Sequence, residues 1–363
     1  MSGLRLSRRA ALTWLVPGAV ALIAVAAAWD TVRHDASSAS ARADGHIRLR
    51  GDALPQPGEL PGTLVFASQT NCRTRVLSLK TLTVGPAGPA ARCGLWVPPR
   101  GDLAAVSLAV ALGFQGSRVS LLRLGEHPEL VRELGVVRGD PSWSKGGGHL
   151  AWCTTARDTV ILAVESGARR RVEGCRPKIV PDGSVLTRPA LDFTATLLRD
   201  GDVALDEEEL TRAFPADSDG PVDLVGYDIS PDGLLAVVTV RFESGRRPRR
   251  LLQLWRGEKL QQAILLPELT LPAGTGRLGE RVEFDPTGRE VAVAYRGAGK
   301  QMVLVDLERA EVVIEPTTQH GFGWSPDGDW LALSTGVEIR ILGPERGEPV
   351  YILPVGAAAL AWR

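Results

Sequence analysis

The chain has 363 residues, enough for one large domain or two of ordinary size. It carries 42 basic and 42 acidic side chains, so its formal net charge is zero and overall charge does not draw it toward nucleic acid or an anionic membrane surface. Arginine far outnumbers lysine, and alanine and glycine are abundant, which is typical of a GC-rich bacterial genome.

The first patterned segment is apolar. Residues Ala10–Trp29 contain no charged side chain, and these 20 positions match the length that a membrane-spanning helix needs. Arg5, Arg8 and Arg9 come before it, and the positive-inside rule then keeps residues 1–9 in the cytoplasm. We therefore expect a single-pass signal-anchor in a bacterial cell membrane, with the rest of the chain outside the cytoplasm.

A second interpretation of this segment is a signal peptide that is cleaved after Ala26–Ala28. "SRRAAL", Ser7–Leu12, also resembles a twin-arginine export signal. The apolar stretch exceeds the about 7–15 residues that are usual in a signal peptide, which favours the anchor. Cleavage would make the protein secreted, so both interpretations export residues 30–363.

Residues 30–61 are rich in Ala, Ser, Asp, Arg, Gly and Pro and show no hydrophobic periodicity. This composition predicts a flexible tether that holds a domain away from the bilayer. The folded domain is therefore expected to comprise residues 62–363.

A short turn motif recurs through that domain. It consists of proline, one further residue and glycine, with an apolar side chain two residues before the proline and a second apolar run after the glycine. The copies are Pro99-Arg100-Gly101, Pro181-Asp182-Gly183, Pro231-Asp232-Gly233, Pro286-Thr287-Gly288 and Pro326-Asp327-Gly328, with Lys145-Gly146-Gly147 as a degenerate copy. Proline presets φ at the second turn position and glycine accepts a positive φ, so each copy is predicted to join two antiparallel strands.

Further alternating runs follow each pair of strands and can supply a third and a fourth strand. Examples are "RVSLLRL" (Arg118–Leu124) and "EPVYILP" (Glu348–Pro354). Units of four strands that repeat about every 40–45 residues predict an all-β fold, namely a β-propeller with four-stranded blades. Seven blades are favoured, and six remain if the irregular unit at Pro181–Leu210 is only a loop.

The two ends of the domain predict how the ring closes. "GTLVFAS" (Gly62–Ser68) resembles the second strand of a unit, and no first strand precedes it. "AAALAWR" (Ala357–Arg363) resembles a first strand without a second. Pairing of the two would close the ring and leave no open sheet edge.

Two stretches, "ISPDGLLAVV" (Ile229–Val238) and "WSPDGDWLALS" (Trp324–Ser334), resemble the WD-like repeats of TolB-type periplasmic propellers. The resemblance covers roughly residues 62–363 and implies a propeller fold. Where TolB has a separate α/β domain, this chain has the predicted membrane span. The lipoprotein-binding role of TolB is therefore not expected to carry over.

The four cysteines occupy matching places in the repeat. Cys72 and Cys153 follow second strands, while Cys93 and Cys175 precede the next first strands, and the two separations are 21 and 22 residues. In an exported domain this predicts two disulfides, Cys72–Cys93 and Cys153–Cys175. The alternatives are a metal site, for which paired CxxC spacing is missing, and four free thiols.

The sequence contains no GxSxG elbow, HExxH or Walker loop, and we expect no catalytic residue, no cofactor and no metal. "ESGRRPRRLL" (Glu243–Leu252) brings together the four guanidinium groups of Arg246, Arg247, Arg249 and Arg250 in a predicted interstrand loop. Such a cluster can bind phosphate, a carboxylate-rich polymer or an acidic partner, or it can be an ordinary solvated loop.

Three functions fit these features. The favoured one is a non-enzymatic extracytoplasmic scaffold that binds a protein or cell-envelope partner at the membrane surface, with no nucleic acid involved. The second is a propeller enzyme, lactonase-like or lyase-like, with a metal in the central channel. The third is an accessory ectodomain of an envelope sensing complex.

Overall fold

The computed structural model describes residues 39–43, 46–51, 53–90, 94–110, 116–125, 127–189, 195–215, 220–242, 248–267, 280–295, 301–318, 320–347 and 349–363. Within these ranges the chain forms 29 strands and one short helix, α1 (Glu207–Arg212), so the predicted all-β class is confirmed. The predicted membrane span, residues 10–29, lies outside the described residues. Among the described residues, no helix is both long and apolar enough to span a bilayer.

The first sheet joins the beginning of the domain to its end. Its strands are β1 (Ala39–Ala43), β2 (His46–Leu49), β3 (Thr63–Ser68), β4 (Thr74–Ser78), β5 (Thr83–Val84) and β29 (Ala357–Trp362). Their order across the sheet is β1-β2-β5-β4-β3-β29, with β29 at one edge.

The next sheet has seven strands, β6 to β12, in chain order across the sheet. They are β6 (Leu95–Trp96), β7 (Leu103–Val110), β8 (Ser117–Arg123), β9 (Glu129–Trp143), β10 (His149–Cys153), β11 (Asp158–Ala163) and β12 (Arg169–Glu173). The first part of the long strand β9 pairs with β8, and its last part pairs with β10. Strand β9 therefore ends one set of four strands and begins the next.

Four regular four-stranded antiparallel sheets follow, each in simple chain order. The first two contain β13 (Cys175–Ile179), β14 (Val185–Arg188), β15 (Leu197–Arg199) and β16 (Asp202–Leu205), then β17 (Val222–Ile229), β18 (Leu235–Arg241), β19 (Arg249–Arg256) and β20 (Lys259–Leu265). The last two contain β21 (Glu280–Phe284), β22 (Glu290–Tyr295), β23 (Gln301–Asp306) and β24 (Glu311–Thr318), then β25 (Gly321–Trp324), β26 (Leu331–Ser334), β27 (Ile339–Leu342) and β28 (Tyr351–Leu353). The irregular stretch at Pro181–Leu210 thus contributes strands rather than a loop alone.

Neighbouring sheets pack against each other. Val238 and Leu252 of one sheet and Val291 of the next are all fully buried in a single apolar cluster, and each contributes about 1.5–3 kcal/mol by its burial. First strands also contact first strands, as in the pairs β9 and β13, β17 and β21, and β25 and β29. Successive four-stranded sheets that meet along their first strands form a β-propeller.

The last strand closes the ring as predicted. Strand β29 pairs with β3 in antiparallel register, with Leu360 opposite Phe66. Thr63 and Arg363 exchange backbone hydrogen bonds of 2.7 and 3.0 Å, and the indole Nε1 of Trp362 donates to the carbonyl of Pro61 at 2.7 Å. Backbone pairing and a buried aromatic side chain therefore hold the last strand, β29, against β3.

The recurrent motif forms the predicted turns. In the copy at Ser325–Gly328 the amide of Gly328 donates to the carbonyl of Ser325 at 2.9 Å, and Gly328 has φ of 82°. The Ser325 hydroxyl donates to the Asp327 carboxylate and accepts from the amide of Trp330 at 2.9 Å. The aspartate of the motif is thus part of the turn itself.

The predicted tether needs a correction. Residues 39–43 and 46–49 of the expected flexible segment add β1 and β2 to the outer edge of the first sheet, and Leu49 and Leu60 are buried. The amide of Ile352 donates to the carbonyl of Ala53 at 3.0 Å. Two buried leucines and several backbone hydrogen bonds attach this segment to the domain. No hydrophobic periodicity in the sequence predicts that attachment. Residues 30–38 lie outside the described residues.

Candidate functional site

Every sheet has two ends, which we name by their connections. The turn end carries the Pro-x-Gly motifs, and the loop end carries the connections between the second and third strands. Arg249 and Arg250 begin β19 at the loop end of its sheet, whereas Arg246 and Arg247 lie outside the described residues. The register of β18 and β19 places Arg241 opposite Arg249, so the structure adds a guanidinium group that the sequence cluster did not include.

Aromatic rings of neighbouring elements support these arginines. The guanidinium carbon of Arg250 lies 5.5 Å from the ring centroid of Tyr295, and that of Arg241 lies 5.4 Å from the ring centroid of Phe214. Both distances fit a cation–π contact. Next to Arg241, the Phe242 side chain is 39% exposed. The loop end of this sheet therefore presents ordered guanidinium groups beside an exposed aromatic ring.

Two more arginines lie at the loop end between the β13–β16 and β17–β20 sheets. Arg188 Nη2 lies 2.7 Å from Asp223 Oδ1 in a largely buried ion pair. Arg176 Nη1 donates to the carbonyl of Val225 at 3.0 Å. The surrounding protein atoms and the nearby Arg188 charge lower the pKa of Arg176, which still retains contact with solvent.

Tyr227 also links the two sheets by a hydrogen bond. Its hydroxyl donates to the carbonyl of Arg176, which belongs to the preceding sheet. Complete burial raises the pKa of Tyr227, so the hydroxyl stays protonated and acts as a donor. We call the five side chains Arg176, Arg188, Arg241, Arg249 and Arg250, together with Phe242, the arginine face.

A second charged set lies at the turn end of the same region. Lys178 Nζ lies 3.1 Å from Asp228 Oδ1 and donates to the carbonyl of Val282 at 3.3 Å. Asp228 Oδ2 also accepts from the amide of Phe284 at 2.9 Å. Lys178, Asp228 and Phe284 belong to three successive sheets, so one ion pair holds three first strands together.

No motif in the sequence predicts these pairs. Asp228 and Lys178 are 50 residues apart, and Asp223 and Arg188 are 35 apart. The sequence contains only a weak indication of them. Asp223 and Asp228 interrupt the otherwise apolar first strand "VDLVGYDI", where an unpaired charge would be costly. That signal indicates a buried partner but does not identify it.

The cysteines lie away from both charged sets. Cys153, at the end of β10, and Cys175, at the start of β13, form a disulfide that joins two consecutive sets of strands. Cys72 is also in a disulfide, and Cys93, its expected partner, lies outside the described residues. A bond across 22 residues stabilises the fold by about 3 kcal/mol in the chain-entropy model.

Within the described ranges, no three His, Cys, Asp or Glu side chains are grouped so that they could hold a metal ion. Guanidinium and ammonium groups at the two ends of the β13–β20 region suit the binding of carboxylates, phosphates or acidic protein surfaces.

Comparison with known proteins adds structural likeness at low identity. No protein-family model and no curated protein matches the chain. Solved structures that match include hydrazine synthase of Kuenenia stuttgartiensis, with 14% identity, TM-score 0.49 and coverage of 74% of this chain and 88% of that chain. The β-propeller domain of Cps50 (Swd1) of Myceliophteria thermophila matches with 15% identity, TM-score 0.46 and coverage of 74% and 89%. At these values the likenesses carry no argument about function, and the fold assignment rests on the strand order and sheet packing described above.

Proposed function

We propose that this protein is a non-enzymatic, extracytoplasmic β-propeller, held at a bacterial cell membrane by residues 10–29, that binds a protein or cell-envelope partner. In this proposal the ring has seven blades, because strand β9 belongs to two sets of four strands and the six sheets then contain seven sets. The fold is TolB-like in its Pro-Asp-Gly turns, and the partner differs from that of TolB.

The arginine face is the observation that carries the proposal. Arginine and aromatic side chains are enriched at protein interfaces, and they dominate the binding energy when they are held rigidly. Here Arg241 and Arg250 are held over aromatic rings, and Phe242 is exposed beside them. Their order before binding reduces the side-chain entropy that complex formation would cost.

The cationic character of this face selects the chemistry of the partner. A planar guanidinium group binds carboxylate or phosphate oxygens through paired hydrogen bonds. We therefore infer an acidic partner surface that contacts the loop end. Such an interaction weakens as salt concentration rises, because ions screen exposed charges.

Site-directed photo-crosslinking in native membranes tests the proposal. A photoreactive phenylalanine analogue at Phe242 is expected to capture a discrete partner. The same analogue at Val350, which is 48% exposed and precedes β28 at the turn end, serves as the matched control. Equal capture from both positions, or none from Phe242, would argue against the arginine face as the binding surface.

Charge reversal gives a second readout. The double variant Arg249→Glu and Arg250→Glu is expected to abolish capture from Phe242. Arg309 is an exposed arginine at the turn end, and Arg309→Glu is expected to leave capture from Phe242 unchanged.

Protease protection in intact spheroplasts tests the location separately, since an extracytoplasmic domain is cleaved without lysis of the membrane.

A further inference from the structure

Strands β12, β16, β20, β24 and β28 come last in their sheets and lie at a sheet edge. An exposed edge can pair with another chain unless charges, proline or a short length hinder it. Strand β12 carries three arginines and a glutamate, and β24 carries two glutamates and a proline. Strands β16 and β28 are only four and three residues long. These four edges are therefore protected against pairing.

Strand β20 has none of these protections after its first residue, Lys259. Its remaining sequence, "LQQAIL" (Leu260–Leu265), contains no charge, proline or glycine. The side chain of Leu265, at the loop end, is 64% exposed. We therefore expect the edge of β20 to accept another strand.

The register of β20 identifies the backbone groups that face outward. Beyond a bulge, its last four residues pair regularly with β19, and the amide of Leu266 donates to the carbonyl of Arg250 at 3.0 Å. Hydrogen-bonded and non-hydrogen-bonded pairs alternate in an antiparallel ladder. Ile264 therefore bonds to β19 as Leu266 does, whereas Ala263 and Leu265 direct their N–H and C=O groups outward. No strand within the described ranges pairs with that side of β20.

The side chains beside this edge suit one kind of partner. Leu265 lies opposite Leu251, and Arg249 is on the same face because it is two residues away along β19. Arg241 lies opposite Arg249 on the next strand. Neighbouring strands are about 4.8 Å apart, so these arginines begin two and three strand spacings from an added strand. Such a strand would contact an apolar side chain first and meet positive charge as it reaches the loop end.

We propose that the acidic partner adds an extended segment to β20 as a fifth strand of this sheet. Its backbone bonds to the outward groups of Ala263 and Leu265, and its carboxylates reach the arginine face at the loop end. The inference rests on the proposed function and specifies how the partner is bound. Strand addition derives affinity from main-chain hydrogen bonds and specificity from the side chains beside them.

Two labelled peptides test strand addition without the native partner. Each alternates valine and threonine and ends in a pair of glutamates, at the C-terminus in one peptide and at the N-terminus in the other. The first places its glutamates at the loop end when it lies parallel to β20, and the second when it lies antiparallel. Fluorescence anisotropy with full-length protein in detergent measures binding of both.

One of the two peptides is expected to bind at least about tenfold more tightly than its counterpart with lysines in place of the glutamates, because hydrogen bonds to charged groups are the stronger ones. The same peptide with alternate amides N-methylated is expected to lose binding, since it lacks the backbone donors. Undiminished binding of the N-methylated peptide would mean that charge attraction alone holds it, and would overturn strand addition.

Substitutions in β20 test the site from the protein side. Ala263→Pro removes one outward N–H and is expected to weaken peptide binding about fivefold, the factor that one net hydrogen bond supplies. Leu265→Glu is expected to weaken it further by repelling the glutamates. Val203 of the outer strand β16 is 65% exposed, so Val203→Glu is the matched control and should leave binding unchanged. Equal weakening by Leu265→Glu and Val203→Glu would overturn the site.

Stability measurements show whether this edge is already occupied. Proline is tolerated on an edge strand where its missing N–H faces outward. Ala263→Pro is therefore expected to cost much less stability in denaturant unfolding than Ile264→Pro, which removes a bond to β19. Equal losses would mean that the outward amide already has a partner within the protein, and would overturn the proposal. So would a dimer, detected by sedimentation, that Ala263→Pro dissociates, because the occupant would then be a second copy.

Photo-capture from Phe242 in membranes separates this inference from the proposed function. Capture is expected to fall in both Ala263→Pro and Leu265→Glu. Capture that persists in both variants would retain the proposed function and overturn strand addition. Peptide binding without any capture from Phe242 would contradict the proposed function and retain the strand-binding edge.

Discussion

Two regions of the ring solve the same packing problem with opposite chemistry. At the seam where β25, β29 and β3 meet, the first strands carry glycine and alanine, as in "GFGW" and "AAALAW". Where the β13–β16 and β17–β20 sheets meet, Lys178 of β13 and Arg188 of β14 pair with two aspartates of the first strand β17. Small residues let backbones approach directly, whereas charged residues need specific partners before they can be buried.

The seam is therefore specialised for closure. A Cβ atom at Gly323 would lie 2.7 Å from the backbone nitrogen of Trp362, so only glycine allows this approach. The charged region is less uniform and presents arginines at its loop end. We infer that the seam holds the ring shut while the loop end of the β13–β20 region carries the proposed binding surface.

The largest expected effect tests the seam. Trp362→Ala is expected to destabilise the fold by about 3–5 kcal/mol, because the side chain is 5% exposed and its removal leaves a cavity. Denaturant unfolding measures the change. Trp362→Phe keeps most of the apolar volume but loses the hydrogen bond to Pro61, so it should cost about 1 kcal/mol. Equal losses for both variants would show that closure depends on the hydrogen bond instead of on packing.

The next effect tests the charged region. Asp223→Ala leaves Arg188 without its carboxylate, and the loss is expected to be about 3 kcal/mol, at the low end for a buried pair because the guanidinium retains slight exposure. The double variant Asp223→Ala with Arg188→Met is expected to recover part of that stability, since it removes the unpaired charge. Arg188 Nη1 also donates to the carbonyl of Leu224, and no recovery in denaturant unfolding would mean that this hydrogen bond is its main stabilising contact.

The smallest effect is a pH dependence of the turns in the charged region. Hydrogen bonds from Ser184 and Ser230 lower the pKa of Asp182 and Asp232 below the ordinary value of an aspartate. A depressed folded pKa means stability that is present above the unfolded value and lost as pH falls through the folded one. Unfolding followed between pH 5 and pH 2 should therefore lose stability mainly below about 4, and Asp182→Asn with Asp232→Asn should flatten that slope. An unchanged slope in the double variant would assign acid sensitivity to other carboxylates.

Much of the fold could be predicted from local patterns. The Pro-x-Gly turns and the antiparallel pairs around them depend on residues that are close in sequence. The pairing of Ala357–Arg363 with Gly62–Ser68 could be predicted because each stretch matches one strand of the repeated unit. The continuous strand β9 could not be predicted, because Gly135 and Gly139 resemble the breaks between units. The packed part of the tether was also missed, since its burial depends on contacts with β28 and β5 that local composition does not reveal.

The candidate sites were less predictable than the scaffold. Clustered arginines mark the loop end even without a structure, but Arg176, Arg188 and Arg241 join that face only through strand register and sheet packing. The ion pair of Lys178 and Asp228, with its hydrogen bond from Phe284, depends on three residues from three sheets. Spacing along the chain contains no information about such a grouping.

The sequence by itself determined the all-β class, the repeated hairpins and the way in which the last strand meets the first, because turn geometry and strand alternation act over a few residues. Only the tertiary structure decided which charges meet across sheets and which arginines come together at the loop end. Electrostatic pairing depends on distances between residues that are far apart in the chain, and those distances exist only once the sheets have packed.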